Sequence, residues 1–394
     1  MYICEKQSIM IPRTIEADLK IRLEKADGTH KVIILYGARQ VGKTTLVKKL
    51  RENYIRRSEY FNCDYLDVQS LFSWENSGNL SNVVRNLDLI ILDEAQRIRN
   101  IGLVLKILYD EFPRLQVIAT GSSSFELSNR ISEPLTGRKA VYKLYPLSFE
   151  ELNRDTGVVE RQRNLARVLR FGLYPSVILA DDKQALENLD EIASSYLFKD
   201  ILEFQYLKKP EILLGLLKLL AFQVSGEVSF TELAIKLQVD QTVVQRYIQL
   251  LEDNFVIFRL PALKRNLRNE IGKSRKIYFW DLGIRNAIIQ RMQPLDMRDD
   301  IGALWENFCI AERMKFLSYN RLAVSSYFWR TYSQREIDYV EEIEGKYNAF
   351  EFKWNSRKKT GVPKEYIEGY PDSDFELITP DNFMERLFVK EGGI

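Results

Sequence analysis

Three rhythms of apolar and polar positions divide the chain. The first is a set of short unbroken apolar runs, KVIILY (Lys31 to Tyr36), DLIILD (from Asp88) and LQVIAT (from Leu115), spaced as strands buried on both faces of a parallel sheet. Helix-like TLVKKLREN follows the first of them. From about Ile212 the period turns helical. ILLGLLKLLAF (Ile212 to Phe222) is too short to span a bilayer and carries Lys218, so it reads as a core helix. SFTELAIKLQV opens on a capping box, Ser229 with Glu232, and Leu233, Ile235 and Leu237 supply its apolar contacts. The next helix starts at Asp240 or Gln241 and places Val244, Ile248 and Leu251 along one buried stripe.

The third rhythm is alternation. FVIFRLPAL reads as a strand with KIYFWD (Lys276 to Asp281) as its partner, and two short helices followed by such a hairpin describe a winged helix-turn-helix. REIDYVEEIEGKYNAFEFKW (Arg335 to Trp354) alternates around an EG turn. If Glu344 and Gly345 form a two-residue turn, Asp338 lies opposite Glu351 with Cβ atoms about 5 Å apart, and Lys353 falls on the same face. Ile337, Tyr339, Phe350 and Phe352 then point the other way. Facing carboxylates repel, so the pair needs a cation, either Lys353 or a divalent metal.

The loop GARQVGKT lies between the first strand and its helix, which is the structural context a P-loop requires. Gly37, Ala38, Arg39, Gln40, Val41, Gly42, Lys43, Thr44 and Thr45 form the expected nucleotide cradle. Gly37 and Gly42 let backbone N–H groups face phosphate, and the helix N-terminus adds its dipole. Lys43 would reach the β- and γ-phosphates, and Thr44 would hold Mg²⁺. DLIILDEAQR ends in adjacent acids: Asp93 to hold a metal-bound water, Glu94 to orient the attacking water. Thr120 or Ser122, beyond the third strand, would sense the γ-phosphate. Arg138 would serve as an arginine finger, in cis or from a neighbouring subunit.

Composition adds little about partners. The chain has 394 residues, 57 basic against 55 acidic side chains, and a formal charge of +2. The one basic concentration is the wing segment, where Arg259, Lys264, Arg265, Arg268, Lys273, Arg275 and Lys276 meet the single acid Glu270. With Gln241, Thr242, Gln245, Arg246 and Gln249 on the preceding helix, it suggests phosphate and base contacts to duplex DNA. Three dispersed cysteines fit a reducing compartment, and MYICEKQSIM lacks the apolar core of a signal peptide, so a cytoplasmic protein without membrane segments is expected. His30 is the only histidine, which removes histidine triads and histidine metal sites.

GARQVGKTT, LIILDEAQR, ATGSSS and LTGR…LYPLSFEEL resemble the AAA-type ATPases of bacteria and archaea whose C-terminal half carries a domain of unknown function. The likeness continues through FGLYPSV (Phe171 to Val177) and YLFKDIL (Tyr196 to Leu202) and covers nearly the whole chain. It implies the strand order of an AAA+-like core, the roles given above to Lys43, Thr44, Asp93 and Glu94, and ATP with Mg²⁺ as cofactors. The sequence departs from the family pattern at the sensor, where many AAA+ enzymes have Asn and this chain has TGSSS. The order Asp, then Glu-x-Lys across a short hairpin is similar to the PD-(D/E)xK nuclease-like core. That resemblance assigns Glu306, on ALWENFCIAERMKFL, together with Asp338 and Glu351 to metal binding, and Lys353 to positioning water or phosphate.

The expected fold is therefore α/β: a P-loop, AAA+-like parallel core with a helical extension from about residue 150 (1–205), a helical winged-helix domain (206–290), and an α+β restriction-endonuclease-like domain (291–394). The expected function is an Mg²⁺-dependent ATPase coupled to DNA through the winged helix. Two alternatives stand beside it: a nucleotide-controlled protein-interaction switch with an inert nuclease-like module, and an ATP-dependent nuclease. A homo-oligomer follows if Arg138 acts in trans. No GTPase-type base-reading motif is evident, which favours ATP.

Overall fold

The structure, a computed structural model, describes residues 10–24, 31–73, 77–122, 135–194, 210–263, 275–331, 333–357 and 361–389. The chain divides into two compact units, 1–147 and 148–394.

In the first unit, β1 (Val32–Tyr36), β2 (Ser58–Asn62), β3 (Leu89–Asp93), β4 (Gln116–Gly121) and β5 (Lys139–Lys143) form a sheet in the order β2-β3-β4-β1-β5, with every neighbouring pair parallel. The three apolar runs become β1, β3 and β4, each buried along its whole length. That is why they lack alternation: side chains on both faces meet protein. The insertion of β4 between β1 and β3 decides the chemistry. It brings the C-terminal ends of all three strands side by side, where ligands of open α/β sheets bind.

In the second unit the helices Val158–Phe171, Pro175–Ile178 and Asp182–Glu191 precede Pro210–Phe222, Phe230–Leu237 and Gln241–Asp253. β6 (Ile257–Pro261) and β7 (Arg275–Phe279) pair antiparallel, and Glu227 makes a further antiparallel bridge to Lys276. Val244, Ile248 and Leu251 are buried as their spacing predicts. Two local expectations need correction. Ile235 is 73% exposed, because Phe230, Leu233 and Ala234 already fill the inner face of its short helix. The capping box at Ser229 is half formed: Ser229 Oγ accepts from Glu232 N, but the Glu232 side chain pairs with Lys236. A complete box occurs instead at Ser148 and Glu151.

The helical extension also groups differently from expectation. Helix Val158–Phe171 packs on Leu282–Ile288 within the second unit, held by Asp281, whose carboxylate accepts from Leu173 N and Ile284 N. A Cβ on Gly172 would sit 2.2 Å from that carboxylate, and one on Gly283 would sit 2.0 Å from Phe171 O. The FGLYP stretch is thus a docking point. The proposed border near 205 lies outside the described residues.

The last layer is helix Ile301–Tyr319 with β8 (Ser325–Arg330), β9 (Glu336–Ile343), β10 (Lys346–Phe352) and β11 (Asp374–Ile378) in the order β11-β10-β9-β8; only β10 and β11 are parallel, joined through helix Lys364–Gly369. Glu344 and Gly345 both have positive φ, 51° and 83°, the conformation a two-residue turn with a right-handed twist requires. Lys346 pairs with Ile343 and Phe350 with Tyr339, which is the predicted register.

Candidate functional site

The cradle in the first unit is built by backbone strain and close packing. A Cβ on Gly37 would lie 2.1 Å from Leu144 O, so only glycine fits where β1 gives way to the loop. Left-handed backbone at Gln40 (φ 58°) and Gly42 (φ 96°) turns the loop back on itself, and Ala38 and Val41 are fully buried beneath it. Arg39 is half-buried and Thr45 exposed. Gly42 contributes no side-chain cap to helix Lys43–Glu52, and a helix N-terminus directs N–H groups and a favourable dipole toward an anion. Lys43 is buried and donates to Gly37 O and Ala38 O, both at 2.8 Å. Its ammonium is thereby held inside the cradle.

Asp93 is where three elements converge. Thr44 Oγ1 donates to its Oδ2 at 2.7 Å, Tyr60 Oη to the same oxygen at 2.6 Å, and Thr120 Oγ1 to its Oδ1. Burial and then the Asp93 hydrogen bond drive the Tyr60 hydroxyl far above its usual pKa. Glu94 stands in left-handed backbone (φ 55°), and its N–H donates to Thr120 Oγ1 at 3.0 Å. Gln96 Nε2 bonds both Glu94 Oε2 and Ser122 Oγ, at 2.5 and 3.2 Å. Thr120 therefore engages Asp93 and the Glu94 N–H directly, and Ser122 is linked to Glu94 through the Gln96 amide. The residues fit a nucleotide with its metal: a buried ammonium, an uncapped helix end, and a hydroxyl–carboxylate pair of the oxygen type Mg²⁺ takes.

Arg138 lies elsewhere. It immediately precedes β5, whose first residue pairs with Val32 at the entry of β1, whereas the cradle is at the exit, about 16 Å of strand away. Its Nε holds Asp110 Oδ1 at 3.0 Å. This placement sets Arg138 apart from the cradle of its own chain.

Three participants carry no motif. Arg13 bonds Val41 O and Tyr145 O, each at 2.7 Å, and so braces the loop from behind. Tyr60 belongs to an otherwise ordinary edge strand, and Gln96 to a run read only for its acids. Tyr60 reaches the site through the sheet order, Arg13 through the fold ahead of the first strand, and Gln96 through a local contact two residues past Glu94.

In the second unit, Glu306, Asp338, Glu351 and Lys353 do come together, as the hairpin register requires. Lys353 Nζ is 2.6 Å from Glu351 Oε1 and 3.8 Å from Asp338 Oδ2, and Asp338 Oδ2 also accepts from Phe352 N at 2.9 Å. Glu306 Oε1 accepts from Lys276 Nζ at 3.0 Å and from Tyr278 Oη at 2.7 Å. Burial, and next the facing Asp338 carboxylate, push Glu306 well above the usual carboxylate range; burial raises Asp338 and Glu351 as well. Lys276 and Glu336 complete the cluster as an ion pair. Among the described residues no group of three acidic, histidine or cysteine side chains is arranged to hold a metal ion, and the metal assignment to Glu306, Asp338 and Glu351 stays an expectation. Ammonium and N–H donors take one oxygen of each carboxylate: Lys276 on Glu306 Oε1, Lys353 on Glu351 Oε1 and Phe352 N on Asp338 Oδ2.

The basic wing is corrected in part too. Arg259 pairs with Glu252 and with Gln249 Oε1, Arg275 stacks on the Phe230 ring at 3.9 Å, and Lys276 is 1% exposed. Lys264, Arg265, Arg268 and Lys273 lie outside the described residues. Gln241, Thr242, Gln245, Arg246 and Gln249 are exposed along one helix face. No helix among the described residues is long and apolar enough to cross a membrane.

Residues 29–153 match the AAA domain family, 162–295 a domain of unknown function (DUF8612), and 301–381 another (DUF4143). An uncharacterized protein of Mycobacterium tuberculosis is 28% identical over 349 residues, covering 86% of this chain and 74% of that protein. One from Methanocaldococcus jannaschii is 25% identical over 322 residues, covering 70% and 67%. Among solved structures, the Walker-type ATPase of Pyrococcus abyssi shares the fold at 18% identity with a TM-score of 0.50, over 71% of this chain and 96% of that one. Residues 29–153 thus match an AAA domain model and the chain shares the fold of a Walker-type ATPase, with matches to two domains of unknown function after them.

Proposed function

We propose that this protein is an Mg²⁺-dependent ATPase whose second unit binds duplex DNA through helix Gln241–Asp253. The observation that carries the ATPase reading is the convergence of Lys43, Thr44, Asp93, Glu94 and Thr120 at the ends of adjacent parallel strands. In the bound state Lys43 leaves the Gly37 and Ala38 carbonyls for phosphate oxygens, a short move that keeps its ammonium bonded. Thr44 and Asp93 would hold the metal, which would supply positive charge against the negative charge that develops during phosphoryl transfer. Glu94 orients the attacking water, and the Ser122–Gln96 pair fixes the Glu94 carboxylate and reports its position. Arg138 acts on a neighbouring copy if the protein assembles. ATP rather than GTP is proposed from the absence of a base-reading motif in the sequence.

The DNA reading is supported by the exposed polar face of helix Gln241–Asp253 and by the winged-helix character of its surroundings: two helices joined tightly, then an antiparallel pair with a third bridge at Glu227. Arg246 and Gln245 are its best placed contacts, because Gln249 is occupied by Arg259 and Asp253.

The test is ATP turnover by the full chain with Mg²⁺, beside Lys43→Ala and Glu94→Gln, with GTP as competitor. Nucleotide binding that survives Glu94→Gln while turnover does not is the expected result. Turnover unaffected by either substitution would end the reading. For DNA, duplex binding that weakens steeply with salt and drops with Arg246→Ala is expected; salt-independent or absent binding would leave the protein-interaction switch.

A further inference from the structure

The carboxylate cluster of the second unit raises a question that the nucleotide site does not answer: what holds several buried acids together. The chain supplies the cation itself. Lys276 and Tyr278 lie two residues apart on β7, so both point to one face, and both donate to Glu306 Oε1. Lys276 also pairs with Glu336 at the start of β9, and its ammonium lies 5.5 Å from the Phe328 ring centroid on β8. The Lys276 side chain is 1% exposed. A buried lysine is tolerated only where paired and hydrogen-bonded, and here helix Ile301–Tyr319 and two strands contribute to its seat.

The strand that carries Lys276 is fixed as well. Asn307, fully buried on the same helix, accepts from Phe279 N at 2.9 Å and donates to Phe279 O at 2.8 Å, satisfying both backbone groups of that residue. The neighbouring Glu306 thereby meets Lys276 in a set register. On the other side of the cluster Lys353 serves Glu351 and Asp338.

We infer that Lys276 is the built-in cation of this cluster, occupying the position a divalent metal would take and making the C-terminal fold a metal-free scaffold locked to the wing strand. The contact is intramolecular and needs no ligand. It predicts that removing the ammonium, while keeping the bulk, turns the cluster into a site for a divalent cation with oxygen preference, such as Mn²⁺.

The experiment is Mn²⁺ titration of the full chain, followed by electron paramagnetic resonance and thermal melting. All proteins carry Asp93→Asn to silence the nucleotide site. With Lys276 intact, no Mn²⁺ binding that depends on Glu306 or Asp338 is expected. Lys276→Met should melt lower, gain a Mn²⁺ site at least about tenfold tighter than anything in the intact chain, recover stability with Mn²⁺, and lose the gain on adding Asp338→Asn. Mn²⁺ binding by the Lys276-intact chain that Glu306→Gln abolishes would overturn the inference. So would a folded Lys276→Met chain with unchanged melting and no Mn²⁺ uptake. If Lys276→Met does not fold, the intact chain with and without Glu306→Gln still decides the matter by the same criterion.

Discussion

Two groups of buried acids, one in each unit, meet opposite kinds of partner. Asp93 is surrounded by hydroxyls, Thr44, Tyr60 and Thr120, and Glu94 by the Gln96 amide and a backbone setting. Glu306, Asp338 and Glu351 are served by ammonium groups, Lys276 and Lys353. Neutral donors orient a carboxylate without cancelling its charge, so Asp93 still attracts a cation. Ammonium donors cancel the charge and finish the site. Motif spelling alone makes both look like metal centres; the charge of the nearest donors separates them.

The largest effect should come from the unfinished site. Glu94→Gln is expected to lower ATP turnover by about 10²- to 10³-fold with nucleotide affinity retained, whereas Lys43→Ala should lose both. Single-turnover and equilibrium binding measurements distinguish these; equal loss of binding in both variants would break the comparison. In the finished site the effect is on folding. Lys276→Ala leaves Glu306 and Glu336 without their buried cation and should cost about 3–5 kcal/mol, read as a lowered denaturant midpoint. A change below about 1 kcal/mol would mean that the acids do not need it.

Arg13 sharpens the contrast from the nucleotide side. Its hydrogen bonds to Val41 O and Tyr145 O hold the loop from behind. Arg13→Ala should therefore weaken ATP binding by about tenfold and change the turnover of the bound state less, a split visible as KM against kcat. Equal losses in both would place Arg13 in the chemistry.

The smallest expected effect concerns a third acid, Asp300, again closed by cations. Burial alone would raise its carboxyl, but hydrogen bonds from Arg298 and Arg285 outweigh burial and hold it at about 2, with Arg291 3.8 Å away. Its folded pKa is below the unfolded value of about 3.9, so its stabilisation is present above that value and disappears as pH falls through about 2. After allowance for solvent screening, Asp300→Asn should cost about 1–2 kcal/mol at pH 6, and the gap to the unsubstituted chain should close on acidification. Melting curves from pH 6 to 2 check this; a gap independent of pH would assign the loss to packing.

Much of this was legible along the chain because it depends on neighbours in sequence. The cradle, the strands that carry Lys43 and Asp93, and the pairing of β9 with β10 follow from local period and from a two-residue turn whose φ values Glu344 and Gly345 adopt. Periodicity sets which face a residue takes, and turn chemistry sets register, so Asp338 and Glu351 were placed opposite each other without a tertiary contact. Ile235 shows where this ends: its spacing is apolar, but a short helix has room for only one inner face.

The sequence by itself determined a P-loop between a buried strand and a helix, the acids at the end of a second strand, and a hairpin with two carboxylates and a lysine on one face. Tertiary structure alone decided what those groups meet. Strand order brought Thr120 and Tyr60 to Asp93, and the parallel run of β5 beside β1 put Arg138 at the end of the strand away from the cradle. Packing of β7 against helix Ile301–Tyr319 took Lys276 out of the wing and set its ammonium on Glu306. The physical reason is range: backbone conformation and periodicity are fixed within a few residues, whereas the partner of a buried charge is chosen by whichever distant segment the fold brings within about 3 Å.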